Sequence, residues 1–164
     1  MATVLSNPSM SVSLKAQLTA GAVPAVVASQ VNHSPTFTVG AGNAAGNVDR
    51  CYAAPFQVSA GTPLTINVGT ALDPLQNALG MLHVGAILVE NDSTTAGQDM
   101  TIGGGTHPIS TTDSGTAQAN GGVWLMWNPN PGYAVSAGSA DTITITVAAG
   151  TNVSGKITIL GRSA

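Results

Sequence analysis

The chain has 164 residues, of which only 7% are charged: four are basic, seven are acidic, and the net charge is −3. Ordinary soluble domains carry about 25% charged residues, so a surface this neutral predicts that other protein covers much of it. Four scattered basic residues cannot form the patch that nucleic-acid binding needs, and a single cysteine excludes an intramolecular disulfide.

The N-terminal region differs from the rest of the chain. The first residues lack the basic segment and the apolar core of a secretory signal. Residues 40–46 are rich in glycine and alanine, which predicts a flexible bridge. We therefore expect residues 1–47 to form an extended arm or flap and residues 48–164 to form the body. The longest apolar stretch, near Leu79–Val89, is too short to cross a bilayer, so no membrane partner is expected.

Strand patterns dominate the chain. Apolar and polar residues alternate in four segments, and this period of two places one set on a core face and the other set outside. The apolar sets are Val12, Leu14, Ala16 and Leu18; Leu64, Ile66 and Val68; Ile143, Ile145 and Val147; and Ile157 and Ile159. Clusters of Gly, Pro, Asn, Asp and Ser between them are typical of turns.

Two further segments are nearly continuously apolar, Leu82–Val89 and Val123–Trp127, which indicates strands covered on both faces. The single candidate helix is Asp73–Leu79, one or two turns long, with Asp73 as the cap and Pro74 at the first helical position. Short, evenly spaced strands predict an all-β fold, an antiparallel β-sandwich that is jelly-roll-like, with the N-terminal arm extending from it.

No motif predicts catalysis, so we expect a protein that is not an enzyme. The histidines lack metal-ligand spacing, and the oxygen-rich segment Asn91–Asp99 lacks the order of a calcium loop, which favours a polar hairpin loop. Gly103–Gly105 has no following Lys-Ser/Thr and is better explained by a bulge or a close backbone approach. Cys51 is expected to be a buried, inert thiol. We predict no cofactor and no metal.

The aromatic side chains are few and concentrated. Trp124, Trp127 and Tyr133 lie in one short stretch, and the strand period places Trp124 and Trp127 on opposite faces. They are candidates either for a ligand platform that stacks on sugars or for large rings that fill a core poor in aromatics. A carbohydrate- or surface-binding β module is therefore the alternative function.

The polar residues of the strand near residue 145 form a neutral stripe of Thr142, Thr144 and Thr146. They alternate with Ile143, Ile145 and Val147, so we expect them on the open face of the sheet. Such a face can pack on another subunit without desolvating charge, and interface cores are depleted in Lys, Glu and Asp. The stripe is the predicted assembly interface.

Four segments carry a resemblance to a known class: Ser59–Asn67 (SAGTPLTIN), Asn128–Tyr133 (NPNPGY), Ser136–Thr142 (SAGSADT) and Ile157–Ser163 (ITILGRS). From about Val58 to Ala164 the chain resembles small β-rich virion proteins of tailed phages, of the head decoration or cement kind. The resemblance implies a structural protein that binds the major capsid protein or other shell subunits. We then expect a homo-oligomer, with a trimer as one option, in a virion assembled in the host cytoplasm.

Overall fold

The computed structural model describes residues 9–11, 14–19, 28–33, 36–73, 76, 78–147 and 152–164, with side chains from Val39 onward. Every regular element among them is a strand. The strands are β1 (Ser9–Ser11), β2 (Leu14–Thr19), β3 (Ala28–His33), β4 (Thr36–Thr38), β5 (Gly40–Ala41), β6 (Asn47–Val48), β7 (Arg50–Val58), β8 (Leu64–Asn67), β9 (His83–Asn91), β10 (Met100–Ile102), β11 (Gly115–Ala117), β12 (Val123–Trp127), β13 (Tyr133–Ala134), β14 (Thr142–Val147) and β15 (Val153–Arg162).

Two antiparallel sheets make up the body. The four-stranded sheet has the order β11-β10-β14-β8, and the five-stranded sheet has the order β12-β9-β15-β7, with β13 also paired to β9. Strands that follow one another in sequence usually belong to different sheets, since β7, β9, β12 and β15 lie in one sheet and β8, β10, β11 and β14 in the other. The prediction of an all-β, antiparallel protein is therefore confirmed.

One cluster of buried apolar side chains draws on both sheets. Ile145 in the four-stranded sheet and Ile159 in the five-stranded sheet are both fully buried in it. The alternation of the sequence is confirmed at the positions whose side chains are described. The predicted inward residues that are buried are Ile66, Val68, Ile143, Ile145, Val147, Ile157 and Ile159.

The two continuous apolar runs have different positions. Strand β9 lies inside its sheet between β12 and β15, and most of its residues are buried, as the run predicts. Strand β12 lies at the edge of the sheet. There Val123 is 48% exposed and Leu125 is half-buried, so the expectation that β12 is covered on both faces is wrong.

The predicted helix at Asp73–Leu79 is also wrong for the residues that the structure describes. Leu72 and Ala78 form an antiparallel bridge, and the amide of Gln76 donates to the carbonyl of Asp73 at 2.9 Å. Gln76 has φ of 64°, which no right-handed helix contains. The residues at the two ends pair with each other instead, since the amide of Leu79 also donates to the carbonyl of Ala71.

The N-terminal region contains short ladders. Strand β1 pairs with β4, and β2 pairs with β3, both antiparallel, while β5 pairs with β6 in parallel. Residues 39–48 lie against the body, since Val39 and Val48 pack with Ala86 and Leu160 of the five-stranded sheet. Val12, one of the alternating apolar positions, lies outside the described residues.

Candidate functional site: the sheet faces and an aromatic cleft

The predicted threonine interface on β14 is mostly covered by the chain itself. Thr142 is 8% exposed and Thr144 is 4% exposed, whereas Thr146 is partly exposed. The expectation that Thr142 and Thr144 lie on an open face is wrong. The period of two places them correctly on the opposite side from Ile143 and Ile145, but it carries no information about what lies above that side.

The cover over this part of β14 is the loop that follows β10. The hydroxyl of Thr142 lies 2.6 Å from the carbonyl of Thr106 and 2.8 Å from that of His107. Gly105, with φ of 82°, approaches so closely that a Cβ there would collide with Oγ1 of Thr144. A bulge or a close backbone approach was predicted for Gly103–Gly105, and the close approach is confirmed at Gly103 and Gly105 but not at Gly104, which has no neighbour near a Cβ position.

The uncovered part of this face still carries threonines. Thr116, Thr101 and Thr146 are neighbours across β11, β10 and β14. Thr116 and Thr101 are exposed, as is Thr65 on β8 opposite Thr144. The outer face of the four-stranded sheet thus carries a row of neutral threonine hydroxyls next to the part of β14 that the loop after β10 covers.

The outer face of the five-stranded sheet is apolar where an antiparallel sheet normally turns polar side chains to water. Leu88 and Leu125 are directly opposite on β9 and β12 and only half-buried. We call the following set the apolar outer face: Val123, Leu125, Leu88, Ala53 and Pro55, with Thr158 between Leu88 and Ala53.

Two charged side chains lie within the apolar outer face. Glu90 is directly opposite Val123, and Lys156 lies between Glu90 and Pro55. Lys156 also pairs with Asp92 at 3.5 Å. The neutral part of the face is the adjacent row, which contains Leu125, Leu88, Thr158 and Ala53. Sequence reasoning missed this surface, although the signal was present: continuous apolar runs place apolar residues on both faces, and β12 is an edge strand with little above it.

The aromatic residues divide between the two sides of the five-stranded sheet. Trp124 and Tyr133 pack on the large core cluster, whereas Trp127 packs on the outer side with Ala86 and Leu160. The prediction that Trp124 and Trp127 face opposite sides is confirmed. A single platform made from all three rings does not form.

Trp124 borders a small, partly open cleft with a cavity volume of about 20 Å³. Its walls are apolar, with Ile87 and Met126 from one sheet and Ile102 from the other, while Asp113 adds a carboxylate. Gly115 permits this arrangement, because a Cβ there would overlap the indole of Trp124. Asp113 comes from a loop, and the sequence pattern held no signal for it.

The Asp113 carboxylate is held by neighbouring hydroxyls. Tyr133 donates its phenol hydroxyl to Oδ2, and Ser110 donates to the same oxygen at 2.8 Å. The bonds from Tyr133 and then Ser110 lower the pKa of Asp113 below its ordinary value, since they favour the ionised form. The bond to Asp113 also raises the pKa of Tyr133. The arrangement is a fixed anion beside an indole ring.

The remaining candidate residues have structural roles. Asn91 donates Nδ2 to the carbonyls of Gln98 and Ala117, each at 2.9 Å, and its Oδ1 accepts from the amide of Ser93. The segment is a polar loop, but it is not the predicted hairpin, because it connects β9 in one sheet to β10 in the other. Cys51 is half-buried on the outer side of the sheet, and burial followed by the charge of Asp73 raises the pKa of its thiol.

Over the described part of the chain, no three His, Cys, Asp or Glu side chains converge as metal ligands would. Within the same residues, no helix is long and apolar enough to cross a membrane.

Comparison with known proteins adds no relative. No protein-family model matches the chain, and no curated protein matches it.

Proposed function

We propose that the protein is a non-enzymatic structural subunit that binds and stabilises a capsid shell, as a decoration or cement protein of a virion. The apolar outer face of the five-stranded sheet carries the proposal. It combines half-exposed Leu88 and Leu125 with exposed Val123, and contiguous exposed apolar surface marks interaction sites. The row of Leu125, Leu88, Thr158 and Ala53 is uncharged, so a contact centred on that row desolvates little charge.

We propose further that the two sheets form a β-sandwich with jelly-roll topology. Both sheets contribute to one apolar core. Eight strands of the body, β7 to β12 with β14 and β15, have the orders β12-β9-β15-β7 and β11-β10-β14-β8, and these orders support an arrangement of two interlocked Greek keys. Jelly rolls are found in viral capsid and lectin domains, which supports a shell protein.

The partners follow from this proposal. The chain associates with the major capsid protein or with other shell subunits, and with further copies of itself, a trimer being one such form. It is assembled in the host cytoplasm and resides in the virion. The interface centres on the apolar outer face, and Thr146 contributes only from the open end of the predicted threonine stripe.

The test is co-sedimentation of the purified full chain with empty shells of the virus that encodes it. We expect saturable binding with a fixed ratio of chain to shell subunit. Val123→Glu should weaken binding, because it introduces a carboxylate directly opposite Glu90 into the contact. Thr116→Glu is the matched control, at an exposed position on the edge strand of the other sheet. A chain that stays monomeric at high concentration and does not sediment with shells contradicts the proposal.

The cleft at Trp124 supports a second candidate, a carbohydrate-binding module. It joins an indole face to the fixed carboxylate of Asp113, and ligand sites typically combine apolar walls with a few placed polar groups. A glycan array and titration calorimetry test it. Binding lost in Trp124→Ala and kept in Trp127→Ala, whose ring lies on the other side of the sheet, would favour this candidate.

A further inference from the structure

We propose that the cleft at Trp124 binds a primary ammonium group on an apolar stem, the chemistry of a lysine side chain or of a free alkylamine. Neither function proposed above assigns a cation to this cleft, and the carbohydrate candidate would place a sugar there. Three features of the cleft carry the inference: its size, its walls and the carboxylate that borders it.

The size of the cleft fits a small head group. Its volume of about 20 Å³ accommodates one group of the size of a water molecule, which needs about 10–15 Å³. The ammonium group of a lysine is of that size, a compact charge with three hydrogen-bond donors and no acceptor. A sugar ring or a trimethylammonium group is too large to enter and could lie only over the mouth of the cleft.

The walls of the cleft suit the stem of such a ligand. Ile87 and Met126 come from the five-stranded sheet and Ile102 from the four-stranded sheet, and Trp124 lines the same cleft. Long basic side chains pack their methylene groups on apolar surface while the charged end keeps a polar partner. An indole in the wall favours a cation over a neutral group of the same size.

The Asp113 carboxylate supplies the negative charge. It borders the cleft, and the hydroxyl of Ser110 donates to its Oδ2 at 2.8 Å, as does the phenol of Tyr133. Both neighbours donate, so they favour the ionised form and hold it in place without neutralising its charge. A water molecule in the cleft would leave that charge uncompensated, whereas an ammonium group would compensate it.

Among the described residues, no lysine or arginine pairs with Asp113. The basic side chains that the structure describes have other partners, which are Asp49 for Arg50, Asp92 for Lys156, and the carbonyls of Asn43 and Pro131 for Arg162. The carboxylate is therefore a fixed anion whose partner comes from outside the described residues.

The experiment follows the two tryptophan indole N–H signals of the nitrogen-15-labelled full chain by NMR while n-butylammonium chloride is added at constant ionic strength. Trp124 reports on the cleft, and Trp127, on the other side of the sheet, is the internal control. Trp127→Phe assigns the two signals. Two matched ligands separate the contributions: n-butanol has the same stem without the charge, and tetramethylammonium has the charge without the small head group.

We expect a saturable shift of the Trp124 signal with n-butylammonium, at about millimolar concentration, and little shift with n-butanol or tetramethylammonium. Asp113→Asn keeps an oxygen that can accept from Tyr133 and Ser110, and it should weaken binding about fivefold. Asp92→Asn, the same change at an exposed position outside the cleft, should leave binding unchanged.

Equal shifts with n-butanol, tighter binding of tetramethylammonium, or no shift at Trp124 would each overturn the inference. The comparison of ligands uses the unaltered protein, so it decides the matter even if Asp113→Asn does not fold. A shift of the Trp124 signal with a glycan and none with n-butylammonium would overturn the inference in favour of the carbohydrate candidate.

A capped Gly-Lys-Gly peptide distinguishes the two sources of the ammonium group. Binding at least as tight as that of n-butylammonium assigns the cleft to a lysine on a protein partner, and binding of the free amine alone assigns it to a small amine. Shell binding through the apolar outer face is measured separately by co-sedimentation, so its failure would leave these outcomes unchanged.

Discussion

The same substitution at two neighbouring threonines of β14 should change stability in opposite directions. Thr142→Val and Thr144→Val each replace a hydroxyl by a methyl group in a side chain of similar shape, and both residues are buried on the same face of the strand. They differ in bonding. The hydroxyl of Thr142 contacts two carbonyls, whereas Oγ1 of Thr144 is buried without a partner among the described residues.

The magnitudes follow from these contacts. A hydroxyl buried without a hydrogen bond costs about 1–3 kcal/mol. Thr144→Val should therefore stabilise the protein by about 1 kcal/mol, after part of the gain is lost because the added methyl group is crowded against Gly105. Thr142→Val removes a hydrogen bond with a net contribution of about 0.5–1.5 kcal/mol. The carbonyl of His107 still accepts from the amides of Asp141 and Thr142. The two variants should therefore differ by about 2 kcal/mol.

Urea unfolding of the full chain measures this difference directly. The midpoints should move apart with unchanged slopes, which would show that only stability has changed, and the melting temperatures should separate by several degrees. Thr146→Val, at a half-exposed position, is the control and should stay within about 0.5 kcal/mol. Two shifts of the same sign, or a destabilised Thr144→Val, would refute the reasoning that the bonding of each hydroxyl decides the outcome.

Three further predictions concern the body. Ile145→Ala should cost about 2–5 kcal/mol in urea unfolding, because the side chain is fully buried; a cost below 1 kcal/mol would contradict that burial. Asn91→Leu should cost about 1–3 kcal/mol by leaving buried carbonyls unpaired, whereas exposed Asn152→Leu should change little. Burial and the Arg162 charge lower the pKa of His83, so the melting temperature should fall as pH drops below 6.5, and His83→Phe should reduce that fall.

The period-two pattern of the sequence predicted the features that depend only on the geometry of a single strand. Alternation in a strand fixes which residues share a face, so the burial of Ile145 and the separation of Trp124 from Trp127 followed from spacing alone. The helix expected at Asp73–Leu79 was wrong for the described residues because pairing between Leu72 and Ala78 outweighs a favourable capping pattern. Helix propensity is a weak prior that tertiary contacts override.

What the sequence could not predict depends on distant residues. Thr142 is covered by Thr106, which lies 36 positions earlier in the chain, and no pattern within β14 contains that information. Asp113 likewise reaches Tyr133 from a loop 20 positions away. A period-two pattern describes one strand at a time. It cannot predict a loop that folds over a sheet face or one that brings a carboxylate to a cleft.

The position of the predicted interface changes for the same reason. A neutral polar stripe indicates an assembly surface only where the chain leaves it open, and the loop over Thr144 closes most of β14. On the five-stranded sheet the situation is reversed: Leu88 and Leu125 are apolar, and the covering segment from Val39 to Val48 ends beside them. Apolar side chains half-exposed next to a partial cover gain more from a partner than hydroxyls that water already solvates. The assembly hypothesis therefore depends on β9 and β12 rather than on the threonines that first suggested it.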